Sequence, residues 1–262
     1  MMGNTMKLLI VNAHPDDAEF TCASTCLQAL QLGWKVDEIL MTSDEYGTPR
    51  DEFKGRRIRR IRMQEMRDAA KEYGTDDDGN PLINLIWFGE IDGYLPFNAK
   101  VLQALERLIE DIDPDVIIAP DSFFSLDLHP DHLHTGWLAY IAVKRIDPDK
   151  RPELLLYHSY NTNFFIPINE IGIQVRAWSR HRSQTSPLKN KILLPLRKLF
   201  YFIRRRKTGP VIAEGFRRVH FTPGENNLVR PIHRMLYHFF ARSFAGNSRE
   251  YYTPTPEELG IR

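Results

Sequence analysis

The sequence predicts an α/β fold: a mostly parallel sheet with helices on both faces and an elaborated C-terminal region. Two observations carry that prediction. Short continuous apolar runs alternate with segments of helical periodicity through the first two thirds of the chain, and clusters of His and Asp follow two of those runs. Leu8-Leu9-Ile10-Val11, within residues 7–12, has the unbroken apolar character of a strand buried on both faces. Residues 20–32 have helical spacing and stop at Gly33. Residues 36–42 read as the second strand, and a polar loop over 43–54 leads to a charged helix over 56–73. Ile58, Ile61, Met66 and Ala69 mark the apolar side of that helix, and Gly74 marks its end. Residues 83–88 form the third strand, 99–112 a helix, 116–119 the fourth strand, 131–145 a helix and 154–157 the fifth strand. Strand and helix alternating at these lengths give a Rossmann-like sheet covered on both sides. Beyond Tyr160 the alternation fails, with Pro167, Pro187, Pro195 and Pro210 interrupting mixed apolar and basic sequence.

At 262 residues, 42% hydrophobic and 26% charged, the chain can bury one full core. Residues 1–262 are read as a single domain with a basic amphipathic elaboration at about 186–208. Cys22 and Cys26 are four apart in one helix, a poor basis for a disulfide, so a reducing cytoplasm is the expected setting. No apolar run approaches the roughly eighteen residues of a membrane span, and the first residues lack a basic start with a long apolar core. A net charge of +1 and the absence of a recognisable motif argue against nucleic acid as a partner. The charge is nevertheless uneven, because Arg176 to Lys207 contains eleven basic residues and no acid. Within it, residues 189–207 interleave apolar and basic side chains, which suits peripheral contact with the inner face of an anionic membrane. A core element with solvated ends gives the same pattern.

Ligands of open parallel sheets sit beyond the carboxyl ends of the strands, and both His clusters fall there. His14-Pro15-Asp16-Asp17 follows the first strand, and His129-Pro130-Asp131-His132 follows the fourth. His14, Asp17 and His132 supply two nitrogens and one carboxylate, three ligands with an open position for water, as in catalytic zinc sites. Another divalent metal is compatible with the same donors. Asp16 is then a carboxylate outside the ligand set, available as a general base. Capping offers a second reading of these acids, with Asp16 and Asp17 at one helix start and Asp131 at another. His134 points about 200° away from His132 on the same helix and is not counted as a ligand. His158, His220, His233 and His238 have no acidic neighbour at ligand spacing and are read as structural or exposed.

These two clusters resemble those of the PIG-L/LmbE-like deacetylases, zinc hydrolases that remove an acyl group from N-acylated glucosamine. Thr42-Ser43-Asp44-Glu45-Tyr46-Gly47 is similar to the family's Thr-x-Gly-Glu-x-Gly loop, with Asp44 in place of a glycine. Arg62-Met63-Gln64-Glu65, His181-Arg182-Ser183-Gln184 and Ala213-Glu214-Gly215-Phe216-Arg217 resemble later family segments, so the resemblance runs from Lys7 to Arg217. It implies His14, Asp17 and His132 as zinc ligands, Asp16 as general base, His129 as the group that stabilises the oxyanion or protonates the leaving amine, and Asp131 as its tuning partner. Some relatives carry a tyrosine two residues before the second cluster, where this chain has Asp127. Ala18 separates Glu19 from the aspartate pair, and Glu19 is given no catalytic role. The position matching Arg62 suggests a contact to a sugar hydroxyl or phosphate, against a surface ion pair as the alternative. Glu45 and Glu214 are expected in polar loops lining the cleft, where a buried structural carboxylate would leave the same trace.

The reading is a zinc-dependent hydrolase acting on a small-molecule or lipid-linked N-acyl amino sugar. An amidase of a thiol conjugate or antibiotic intermediate shares the chemistry. A non-catalytic sugar- or metal-binding module shares the ligands but has no use for Asp16.

Overall fold

The computed structural model describes residues 5–125, 127–185 and 211–221. Five parallel strands, β1 (Lys7–Asn12), β2 (Lys35–Thr42), β3 (Ile83–Glu90), β4 (Val116–Pro120) and β5 (Glu153–Tyr157), alternate with helices α1 (Asp17–Thr21), α2 (Ala23–Gln31), α3 (Arg56–Ala70), α4 (Ala99–Ile112) and α5 (Pro130–Arg145). β6 (Phe164–Pro167), α6 (Ile171–Trp178) and β7 (Ala213–Val219) complete the described elements. The seven-stranded sheet runs β3-β2-β1-β4-β5-β7-β6. β7 pairs antiparallel with both β5 and β6, so the region after Tyr160 extends the sheet instead of leaving it.

Alternation along the strands builds two cores. Leu9, Val11, Ile39, Met41, Ile117 and Leu154 point to the face covered by α4 and α5, while Leu8, Ile10, Val36, Ile118 and Leu155 meet residues of α2, α3 and α6. β1 lies between β2 and β4, at the middle of the five parallel strands, with Leu9, Ile10 and Val11 fully buried, which explains its unbroken apolar run. α4 begins at Asn98, whose side chain accepts the Val101 amide at 3.0 Å, and buries Val101, Leu102, Leu105 and Ile109 at helical spacing.

The helix expected over 20–32 is two helices broken at Cys22, because the amides of Ser24 and Thr25 turn to a carboxylate arriving from β7. Cys22 and Cys26 are buried free thiols. α5 starts one residue earlier than expected, and its cap is His129, not Asp131: the His129 ring accepts the Asp131 amide at 3.3 Å. Gly136 lets α5 lie against the end of β4, since a Cβ there would come within 2.3 Å of the Pro120 carbonyl and 2.2 Å of Ser122 Oγ. That close approach sets the first turn of α5 over the carboxyl edge of the sheet.

Part of the basic excess is neutralised in space. Arg176 Nε lies 3.4 Å and Arg180 Nε 2.7 Å from the Glu72 carboxylate, which follows α3. The stretch 189–207 and His233 and His238 lie outside the described residues. Among the described residues no helix is long and apolar enough to cross a membrane.

Candidate metal centre

The loops that leave β1, β2, β3, β4 and β5 at their carboxyl ends all contribute to one site. After β1 the chain turns sharply. Asp16 has φ 114°, a conformation that costs a non-glycine residue about 1–3 kcal/mol and so needs external support. Arg62, from α3, supplies it by donating to the Pro15 carbonyl and, at 2.9 Å, to Asp16 Oδ2. Asp16 makes no side-chain cap to α1, so the capping reading of this residue does not hold.

Three donor atoms converge where the turn faces α5. His14 Nδ1 is 3.1 Å from His132 Nε2, which is 3.2 Å from Asp17 Oδ1. Each ring is fixed through its other nitrogen. His14 Nε2 lies 3.0 Å from Asp92 Oδ1 and 3.2 Å from Asp131 Oδ2, and His132 Nδ1 lies 2.7 Å from Asp127 Oδ2. Assigning the ring protons to these carboxylate-facing nitrogens leaves lone pairs on the two nitrogens that face each other and Asp17. Two lone pairs and an anion repel unless a cation or a proton lies among them. The spacing suits a cation: a tetrahedral ion with bonds of 2.0–2.1 Å holds neighbouring ligand atoms about 3.3 Å apart. Carboxylates hydrogen-bonded behind ligating histidines are the usual supporting arrangement of such sites.

The electrostatics agree. Burial lowers the basicity of His14 and His132, but the surrounding carboxylates outweigh it, raising His14 well above the usual imidazole range and His132 to about 10. The same imidazoles, against the burial of Asp17, hold its carboxyl well below the ordinary range. The pocket is short of positive charge. His129 behaves oppositely: burial, then the charges of His14 and His132, push it down to about 4. With Nδ1 accepting the Asp131 amide, the neutral His129 ring carries its proton on Nε2 and is a hydrogen-bond donor.

Several site residues stand elsewhere than the sequence suggested. Arg62 is 1% exposed and is neither a surface ion pair nor a residue open to substrate: its Nε lies 2.5 Å from Asp44 Oδ2, and Nη1 lies 3.3 Å from His181 Nδ1. Burial raises the Asp44 carboxyl to about 7 despite that guanidinium. Glu45 accepts the Asp92 amide at 3.1 Å and Ser43 Oγ at 3.3 Å, and so supports Asp92. Glu214 is buried under α2, accepting the Ser24 and Thr25 amides at 2.8 Å each, and is a helix cap. Asp131 receives Gly93 N at 2.7 Å and Leu95 N at 3.3 Å, tying the β3 loop to His14. His134 is turned away onto the Leu95 carbonyl at 2.6 Å, as its helical angle requires.

Sequence reasoning missed Asp92, treated Asp127 only as a missing tyrosine, and set aside His158, whose Nδ1 is 3.7 Å from Asp127 Oδ2. Asp92 was detectable as a carboxylate just past a predicted strand. His158 was not, because its acidic neighbour is remote in sequence.

Two expectations test these reassignments. Replacing Arg62 with Met leaves Asp16 and Asp44 facing no guanidinium and is expected to cost about 3–5 kcal/mol in a denaturant titration. Arg62→Lys keeps the charge but loses the fork, so kcat should fall with KM little changed, because Arg62 acts through Asp16. An unaltered kcat in folded Arg62→Lys protein would remove Arg62 as the support of Asp16. Glu214→Gln replaces an acceptor with an amide facing two donors. It should lower stability by about 2 kcal/mol without altering kcat/KM; a changed KM would return Glu214 to the cleft.

Comparison with known proteins finds similarity to deacetylases. The PIG-L family model, described as GlcNAc-PI de-N-acetylase, matches residues 9–143, the span that holds His14, Asp16, Asp17, Arg62, Asp92, His129, Asp131 and His132. The chain is 25% identical over 233 residues to diacetylchitobiose deacetylase of Thermococcus kodakarensis, covering 83% of this chain and 84% of that protein. It is 29% identical over 157 residues to the probable N-acetyl-alpha-D-glucosaminyl L-malate deacetylase 2 of Bacillus anthracis, covering 58% and 65%. The fold matches N,N'-diacetylchitobiose deacetylase from Pyrococcus horikoshii with a TM-score of 0.74 at 24% identity, covering 85% of this chain and 88% of that one.

Proposed function

We propose that this chain, which belongs to the PIG-L family, is a metal-dependent N-deacetylase that removes the acetyl group from an N-acetylglucosamine-type amino sugar. The observation that carries the reading is the convergence of His14 Nδ1, His132 Nε2 and Asp17 Oδ1, with Asp16 next in the chain and held apart from them by Arg62. Nitrogen-rich donors in this number favour zinc, which when bound supplies Lewis acidity and lowers the pKa of water from 15.7 to about 7.

The protein's own groups manage the protons. Asp16, its Oδ2 fixed by Arg62, accepts a proton from the water that attacks the amide carbonyl. His129, a neutral donor through Nε2, stabilises charge developing on the carbonyl oxygen, and Asp16 returns the proton it took from water to the departing nitrogen as the C–N bond breaks. The products are acetate and the free amino sugar. Asp92, Asp127 and Asp131 orient the two imidazoles and do not react.

Protein stripped with a chelator and reloaded with zinc is expected to release acetate from N-acetylglucosamine or N,N'-diacetylchitobiose, and the stripped protein none. Absence of release from both sugars by the zinc-loaded protein would overturn the amino-sugar assignment.

A further inference from the structure

We propose that His181, braced by Glu19, is a positioning residue for the general base: it fixes the Arg62 fork so that one arm stays on Asp16. The inference rests on Asp16 as the base of the reaction above and adds the two groups that set its direction.

Glu19, His181 and Arg62 are all buried, the first two completely. Glu19 lies on α1, Arg62 on α3 and His181 in the turn after α6, so three elements meet at this point. Arg62 Nη1 lies 3.3 Å from His181 Nδ1. A guanidinium can only donate, so Nδ1 accepts and the ring carries its proton on Nε2. That Nε2 lies 3.4 Å from Glu19 Oε2. A string of polar groups thus runs from Glu19 through His181 and Arg62 to Asp16 Oδ2, which is 2.9 Å from Nη2. Such groups are costly to bury, and well-packed apolar side chains of similar volume stabilise a core at least as well. What the string adds is orientation.

Orientation matters because Arg62 has other anions within reach. Its Nε lies 2.5 Å from Asp44 Oδ2, and Glu65 Oε2, one turn further along α3, is 3.8 Å from Nη1. Without the acceptor on His181, Nη1 is drawn toward Glu65, and the planar fork turns as one body and lifts Nη2 from Asp16. The turn that carries His181 blocks this movement. Ser183 donates to Glu65 Oε1 from its amide at 2.7 Å and to Oε2 from its hydroxyl at 2.6 Å, engaging both oxygens. The same two contacts register the turn on α3 and set His181 beside Arg62. A reacting group misplaced by about 1 Å can cost about 100-fold in rate, so a fork held this closely bears directly on proton transfer to Asp16.

Two substitutions separate orientation from packing. Asparagine at position 181 puts Oδ1 where Nδ1 stands and keeps the acceptor, whereas glutamine reaches the Nε2 position and loses it. With zinc-loaded protein and N,N'-diacetylchitobiose, His181→Gln is expected to lower kcat about 10- to 100-fold with KM little changed. His181→Asn should recover most of that loss, although its smaller side chain leaves a cavity and gives the lower melting temperature of the two. Glu19→Gln should lower kcat in the same direction. Adding His181→Gln to Arg62→Lys should cost nothing further, because the fork is already gone. A kcat that follows the melting temperature, with asparagine the worse variant, or losses that add in the Arg62→Lys background, would overturn the proposal. Crystal structures of the two position-181 variants read the geometry without turnover. Nη1 is expected on Glu65 and Nη2 off Asp16 in His181→Gln, with both unmoved in His181→Asn; an Arg62 to Asp16 contact that persists in His181→Gln counts against the role. The expected displacement in a protein that releases no acetate would sink the deacetylase reading and leave the positioning of Asp16 by His181 standing.

Discussion

Asp16→Asn protein is expected to keep its metal and lose about 100- to 10,000-fold in turnover, the usual contribution of general acid-base assistance. Asparagine preserves the size of the side chain, and its carbonyl oxygen can still accept from Arg62 Nη2, so the strained turn at φ 114° keeps its support. What disappears is the capacity to take a proton from water. Because Asp16 is not among the three converging donor atoms, zinc content measured by mass spectrometry should match wild type. Near-normal turnover in the zinc-loaded variant would transfer the base role to another group.

His132→Ala should lose both metal and acetate release. The substitution removes the atom between His14 Nδ1 and Asp17 Oδ1, leaving two donors where a catalytic site needs three. It also strips Asp17 and Asp127 of the ring that lies 3.2 Å from one and 2.7 Å from the other. Breaking a buried charged arrangement on one side costs about 3–5 kcal/mol, so the melting temperature should fall as well. Asp127→Asn separates the two effects. His132 stays, its ring loses only the outer carboxylate, and zinc affinity should fall about 10- to 100-fold while the site remains assembled. Zinc content of His132→Ala equal to that of wild type after dialysis would exclude His132 from the site.

Much of the fold was legible because its signals are local. Leu8 to Val11 must be buried to escape water, and their unbroken run marks a strand flanked on both sides. The helix read over 99–112 matches α4 (Ala99–Ile112). The sharing of the site by His14, Asp17 and His132 was legible for a related reason: ligands at strand ends converge wherever the strands are neighbours and parallel. The break at Cys22 was not, because its cause, Glu214, is 190 residues from Ser24. Nor was the role of Arg62, which looks like one of many charges on α3 until Asp16, 46 residues away, is seen against it.

By itself the sequence determined the alternation of strand and helix, the parallel sheet, and the two loops that bring imidazoles and carboxylates to one edge. These depend on patterning and on the direction in which a parallel sheet presents its loops. Only the tertiary structure decided which carboxylate faces which nitrogen: Asp92 and Asp131 behind His14, Asp127 behind His132, Arg62 on Asp16, and Glu214 withdrawn from the cleft to cap α2. A hydrogen bond between residues far apart in the chain leaves no periodicity or spacing in the sequence. Its existence is set by strand order and helix packing, which place those residues within about 3 Å of one another only when the whole core closes.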